Sequence, residues 1–391
     1  MIGRGRGSTA LPIESDAPGT PRSVADRWRA WRDRLLANPR FQRWAAAFPL
    51  TRPIARQRAS ALFDLCAGFV YSQILFACVQ LRLFDLLDAR PRTLAEVAAH
   101  AAMPIESAER LLRAAAALRL VEQRSDGRYG LGDLGAALLG NPGIPAMVRH
   151  HEALYRDLAD PVGLLRSPGG STELGRYWPY AGSESPAAAS EADIAAYSAL
   201  MSASQGFVAD EILDAYPLQR HRRLIDVGGG EGTFLRSAAV RAPQIELMLF
   251  DLPAVCARAE RRFAAAGLGA RAAVHGGDFL RDSLPVGADI ATLVRVIHDH
   301  DDESVLRLMR SIHASLPPGG VILVAEPMSG APGAGRVGDA YFTFYLMAMG
   351  SGRPRTPAAI AMLLESAGFA APRLLRTRLP LLTQVMQATR P

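Results

Sequence analysis

The sequence predicts an α/β fold, in which a parallel sheet interleaved with helices is closed by an antiparallel pair and preceded by a helical region. Three observations carry this. Five apolar runs in the carboxyl-terminal half, Leu224–Val227, Leu247–Phe250, Ala272–His275, Asp289–Val294 and Val321–Ala325, alternate with helical patterns, and a further pair follows near Pro372–Arg378 and Leu382–Met386. The first run ends in an acidic residue, Asp226, and a glycine-rich turn that opens a helix. Ahead of the sheet, residues from Thr93 and from Pro104 each open a helix, and Leu120–Gln123 with Arg128–Leu131 read as a short β-wing around Asp126-Gly127.

Taken in chain order, residues 1–55 are a basic extension whose first 22 residues, rich in Gly, Ser and Pro, read as a disordered lead. Residues 1–60 hold 12 arginines against Glu14, Asp16, Asp26 and Asp33, so this segment is +8 while the whole 391-residue chain is +6. From Val24 to Phe48 arginines interleave with Trp28, Trp31, Leu35, Phe41, Trp44 and Phe48, the pattern of a basic amphipathic helix. Two readings stay open for residues 24–48: peripheral contact with an anionic membrane, or packing on a second subunit.

Residues 56–150 have winged-helix grammar, which suits either a DNA-binding regulator or a dimerisation scaffold. The second helix carries Glu106, Glu109, Arg110 and Arg113, a balanced set, so a scaffold is expected and no nucleic acid partner. Residues 151–220 form a helical connector that contributes to an acceptor pocket, and residues 221–391 form a Rossmann-like domain. No apolar run reaches the roughly 20 residues that span a bilayer, and the amino terminus lacks the apolar core of a secretory signal. Three scattered cysteines suggest neither a disulfide framework nor a zinc site, and a reducing cytoplasm is the expected location.

The glycine turn marks a nucleoside site. Gly228, Gly230 and Gly232 have GxGxG rather than GxGxxG spacing, and no Lys-Ser/Thr pair follows. Glu231 inside the loop would oppose a phosphate, so S-adenosyl-L-methionine, which has none and carries a cationic sulfonium, fits better. Asp251, 25 residues after Asp226 and at the end of the second strand, can accept both ribose hydroxyls. His298 and His300 lie among Asp299, Asp301, Asp302 and Glu303, but a helix starts near Ser304 and its first turn favours acids, so capping is expected and no metal.

These motifs in series, the glycine turn, Asp251-Leu252-Pro253, Gly277-Asp278-Phe279, Ile297-His298-Asp299 and Val324-Ala325-Glu326, resemble the small-molecule O-methyltransferases of plant phenolic and bacterial polyketide metabolism. The resemblance covers roughly residues 65–390. The whole chain, with its arginine-rich extension and the segment Phe63–Ser72, is similar to the hydroxycarotenoid O-methyltransferases of purple photosynthetic bacteria. No motif chemically demands a carotenoid.

The resemblance implies a homodimeric, metal-independent enzyme that converts S-adenosyl-L-methionine to S-adenosyl-L-homocysteine while methylating a lipophilic hydroxylated small molecule. It implies that Asp278 and Phe279 hold the adenine, that Gly228, Gly230 and Asp251 hold the ribose and methionine, and that Asp226, Leu252 and Arg295 complete the cofactor contacts. His298 falls at the family's catalytic histidine, and an imidazole starts neutral at physiological pH. Glu326, 28 residues later on the adjacent strand, could orient it. Met201, Tyr341, Phe344, Met347 and Met349 would line the acceptor pocket, although such residues at helical spacing are also ordinary core. The family's second flanking glutamate falls at Pro354, and its tryptophan after the His-Asp pair is His300. Methylation of another acceptor, such as a polyketide, a phenol or a bacteriochlorophyll carbon, a silent relative and a cofactor-sensing regulator remain alternatives. For the carotenoid reading, the extension would hold the enzyme peripherally at the inner, photosynthetic membrane.

Overall fold

The computed structural model describes residues 23–141, 143–167, 171–177, 205–331 and 333–391. The chain divides after Gln73, inside one long helix, into two compact units.

The first unit holds α1 (Val24–Ala37), α2 (Pro39–Ala47) and the start of α3 (Arg52–Gln80). The single amphipathic helix expected over 24–48 is two helices. Pro39 lacks the N–H that a continuous helix needs and pushes Asn38 into extended backbone, where its side chain accepts the N–H groups of Arg40 and Phe41 and caps α2. α3 corrects a second expectation. Its 29 residues are long and apolar enough to cross a membrane by length and composition, because scattered Asp64, Gly68 and Ser72 interrupt the apolar run without lowering its average much.

The second unit opens with the end of α3, α4 (Leu83–Ala89), α5 (Leu94–His100) and α6 (Ile105–Ala117), then the hairpin β1 (Val121–Gln123) and β2 (Tyr129–Leu131). Thr93 and Glu96 form a reciprocal capping box that starts α5. Leu83, Phe84, Val97, Leu112 and Val121 bury together beneath this wing. The helices α7 (Asp133–Leu139), α8 (Gly143–Asp157), α9 (Pro161–Arg166) and α10 (Glu173–Tyr177) follow, and then α11, whose described part covers 205–215.

The sheet is built from β3 (Arg223–Val227), β4 (Glu246–Asp251), β5 (Ala272–Gly276), β6 (Ile290–Val294), β7 (Val321–Glu326), β8 (Ala370–Leu375) and β9 (Gln384–Thr389), ordered β5-β4-β3-β6-β7-β9-β8. The first five strands run parallel and the last two pair antiparallel. The closing pair lies two to three residues from its expected bounds, because β9 must register against the central β7 from Val321↔Thr389 to Glu326↔Gln384. Alternate residues of each strand enter opposite cores. Ile225, Val227 and Leu293 pack under α14 (Asp302–Ser315) and α16 (Pro357–Ser366), while Leu224, Leu247 and Leu249 pack under α12 (Thr233–Arg241) and α13 (Pro253–Ala265). The remaining helix, α15 (Phe342–Met349), follows a π-helical segment, Arg336–Tyr341. The strand order reverses between β3 and β6, which opens a crevice at their carboxyl ends.

Candidate active site at the carboxyl ends of β3, β4, β6 and β7

The glycine turn lines this crevice. Gly228 has φ +70°, and a Cβ there would sit 2.9 Å from Val296 Cγ2 and 3.6 Å from the Phe279 ring, so only glycine leaves room at the floor. Three of the turn's amides are already engaged: Gly228 N–H donates to Phe250 O (2.8 Å), Gly232 N–H to Gly229 O (3.1 Å) and Gly230 N–H to Asp251 Oδ2 (2.8 Å). These groups cannot cradle a phosphate, which fits a nucleoside that carries none. The expected reason for excluding phosphate was different and is corrected here: Glu231 does not face the crevice but is buried in ion pairs with Arg258 (2.6 Å) and Arg262 (2.5 Å) of α13.

Asp251 accepts Gly230 N–H at Oδ2 and Leu252 N–H at Oδ1 (2.7 Å), which fixes both oxygens at the strand end with lone pairs remaining for a diol. Burial pushes its carboxyl up to about 6 against those two hydrogen bonds. Asp226 lies deeper. It is fully buried, Thr292 Oγ1 donates to its Oδ1 (2.7 Å), Oδ2 has no partner among the described residues, and burial pushes it up to about 7. Asp226 therefore supports the turn from beneath. Asp278 is held by its own loop, accepting Leu280 N–H at Oδ1 (2.9 Å), and Phe279 meets the His300 ring edge-on at 5.4 Å. Where the resemblance expects a tryptophan cap, an imidazole thus packs on the expected adenine-side ring.

Beyond β6 the backbone turns sharply at Arg295, a non-glycine residue at φ +58°, which concentrates strain where β6 meets the site. Burial holds the Asp299 and Tyr341 pKa values above their ordinary range, and the Arg295 guanidinium opposes that rise, as it opposes the rise of His298. Glu326, at the end of β7, accepts the N–H groups of Val296 (2.9 Å) and Ile297 (2.8 Å) at Oε1 and that of His298 Nδ1 at Oε2 (2.5 Å). One carboxylate thereby fixes the turn and the imidazole together, leaving Nε2 as the basic nitrogen, 3.1 Å from Asp299 Oδ1. His298 and Glu326 are 5% and 2% exposed. Burial lowers the imidazole pKa, but the Asp299 and Glu326 carboxylates outweigh it and hold the pKa above the ordinary value.

Sequence reasoning missed the clamp over this loop. Arg355 is buried and donates from Nη1 to Ile297 O (2.5 Å), from Nη2 to His300 O (2.7 Å) and from Nε to Asp302 Oδ1 (2.9 Å). Arg353 N–H donates to His298 O (2.9 Å), and Gly352, at φ +77°, passes so close that a Cβ would meet that oxygen at 1.9 Å. The Gly350-Ser-Gly-Arg-Pro-Arg355 string was the available signal. Asp301 caps α14 through Ser304 N–H (2.7 Å), as expected of the acidic run. Among the described residues no cluster of three or more His, Cys, Asp or Glu side chains is placed to hold a metal ion.

On the acceptor side, Tyr341 and Met347 pack with Leu154, Leu174 and Tyr345, and Tyr341 OH shares a hydrogen bond with His151 Nε2 (2.8 Å). His150 Nε2 makes the matching contact with Tyr345 OH (2.8 Å), and burial pushes both histidines down to about 4, so they are neutral hydrogen-bonding groups at physiological pH. Phe342, which sequence reasoning did not single out, faces the His298 ring at 5.8 Å. Phe344 is half-buried and joins none of these ring contacts. Met349 is buried in the same cluster as Tyr345. Met201 lies outside the described residues.

Residues 155–370 match the O-methyltransferase domain family, and residues 63–141 match the O-methyltransferase dimerisation domain. The chain is 45% identical to demethylspheroidene O-methyltransferase of Cereibacter sphaeroides, over 92% of this chain and 94% of that one. It is 41% identical to the enzyme of that name from Rhodobacter capsulatus, over 91% and 88%. Among solved structures, human N-acetylserotonin methyltransferase in complex with SAM superposes with a TM-score of 0.72 at 26% identity, covering 85% of this chain and 98% of that one.

Proposed function

The chain belongs to the O-methyltransferase family and is an S-adenosylmethionine-dependent O-methyltransferase, and we propose that its acceptor is the hydroxyl of a hydroxycarotenoid of the demethylspheroidene type. What supports the acceptor is the similarity along more than nine tenths of the chain to enzymes of that name, together with an aromatic, methionine-rich wall beside the imidazole. The single observation that carries the chemistry is the Glu326–His298 pair at the lip of the crevice.

S-adenosyl-L-methionine supplies an activated methyl group and leaves as S-adenosyl-L-homocysteine. Asp251 accepts the ribose hydroxyls with the lone pairs left by Gly230 and Leu252, and Asp278 with Phe279 takes the adenine. His298 Nε2 removes the acceptor's hydroxyl proton as the new bond forms, while Glu326 keeps Nδ1–H in place and stabilises the imidazolium. A carotenoid's tertiary hydroxyl is far less acidic than a phenol, so positioning carries more of the barrier. Phe342 is the wall residue that meets the base, and Tyr341, held by His151, packs against it.

The chain carries a dimerisation domain, and we place a homodimer on α3, whose exposed Leu62, Phe63, Leu65, Phe69 and Val70 reach into the matched residues with Asp64 as the one charge among them. Incubation with labelled cofactor and paired hydroxycarotenoid and phenol acceptors tests the assignment: label entering the phenol alone would overturn it.

A further inference from the structure

We propose that α1 and α2 form a docking surface for an anionic phospholipid membrane, with Trp28, Trp31 and Trp44 entering the interface and Arg34, Arg40 and Arg43 receiving lipid phosphates. α1 buries none of its residues. Trp28, Trp31 and Trp44 are 57%, 59% and 52% exposed, far more than large aromatics in a finished core. At 100° per residue, Val24, Trp28, Trp31 and Leu35 fall within an arc of roughly 60°. Arg27 and Arg34 flank that stripe on one side and Arg32 on the other, while Asp26 and Asp33 fall on the far face. Arg32 lies over the Trp28 ring at 5.6 Å. An apolar stripe edged by cations, with acids turned away, is the layout of a helix lying in a membrane interface.

The charges also say which occupant covers this face. The two aspartates engage Arg29 and Arg32 (2.9 and 2.7 Å), and among the described residues Arg27, Arg34, Arg40 and Arg43 have no carboxylate partner. Arg34, Arg40 and Arg43 line one open groove where α1 meets α2. A second copy offers no match: it carries the same +8 segment, and the rest of its charge is close to zero. The dimerisation match begins at residue 63, after α2, and the apolar face placed there has no arginine. An anionic bilayer supplies both phosphates for the groove and an interface for the tryptophans.

The test uses the full-length protein, with sedimentation against phosphatidylglycerol-containing vesicles and against pure phosphatidylcholine, at low and high salt, and no acceptor present. The expected result is binding to the anionic vesicles alone, weakened by salt. Each arginine near an anionic surface is worth about fivefold in partitioning, so R34Q/R40Q/R43Q should lower it on the order of 100-fold. Trp28→Ser with Trp31→Ser should weaken binding on the order of tenfold, with the dimer mass and cofactor affinity unchanged. Equal binding to both vesicle types, no binding, or variants that bind as wild type would overturn the proposal. Dissociation of the tryptophan variant into monomers would also overturn it and assign the face to the second subunit. Because the vesicles hold no carotenoid, a wrong acceptor assignment leaves this outcome untouched.

Discussion

Glu326 joins its Oε2 to His298 Nδ1 at 2.5 Å while its Oε1 receives the amides of Val296 and Ile297, so the position of the base is set by a carboxylate on the neighbouring strand. The bond to Nδ1 selects the tautomer and the amides select the loop. In Glu326→Gln the amides keep an oxygen acceptor but the imidazole loses its counter-charge. We expect kcat to fall on the order of 100-fold with the cofactor Kd little changed. A fall in cofactor affinity of the same size would show that Glu326 serves binding instead.

The same pair sets a pH dependence. A base must be neutral to act, and Asp299 and Glu326 hold the His298 pKa above its ordinary value. The acidic limb of the kcat/KM profile should therefore lie above pH 6.5, the ordinary imidazole value, with activity rising as pH rises through it. In Glu326→Gln the limb should move to lower pH, since a raising charge has been removed. An unmoved limb would assign the titration elsewhere.

Asp251 predicts a separate effect on binding. Its carboxyl lies at about 6, so it is protonated progressively below that pH and then accepts ribose hydroxyls less well. Calorimetry should show weaker cofactor binding at pH 5 than at pH 7.5, and Asp251→Asn should bind weakly at both with the difference much reduced. Retention of the full pH difference in that variant would exclude Asp251 as its source.

Arg355→Ala removes hydrogen bonds to two loop carbonyls and to Asp302, and Asp302 keeps Arg353 as partner. The loss should be about 3 kcal/mol, a fall in Tm of roughly 4 °C, with activity falling as the loop loosens. Arg355→Lys should recover little, because an ammonium cannot reproduce the fork. A Tm unchanged by the alanine variant would refute the clamp.

Gly352→Ala forces a Cβ against the His298 carbonyl at a backbone angle that suits glycine. The expected outcome is a lower kcat from a displaced base, read against a retained cofactor Kd. Wild-type kcat would show that the loop tolerates the displacement.

Much of this site was legible in the sequence, for identifiable reasons. Asp251 and Glu326 stand at strand ends and Asp278 and His298 just past them, so the strand pattern puts all four at one edge of the sheet, while the resemblance supplied the reason to single out Asp278 and His298. Arg355 was not legible, because it returns to the site from 57 residues beyond His298 through a loop with no periodic pattern. Phe342 was not singled out, because nothing in the local sequence pattern says which ring after the π-helical segment Arg336–Tyr341 meets the base. The orientation of Glu231 depended on Arg258 and Arg262 in the following helix, which local spacing does not reveal. Conversely, the break between α1 and α2 was written in Asn38-Pro39, a cap followed by a residue suited to the first helical position.

The most direct test of the account is single-turnover transfer of labelled methyl from S-adenosyl-L-methionine to a purified hydroxycarotenoid, comparing the wild-type enzyme with His298→Ala at matched cofactor occupancy. Label in the carotenoid ether, slowed roughly 10²- to 10⁴-fold in the variant, is the predicted result. Equal rates in the two proteins would contradict it by removing the histidine from the proton transfer.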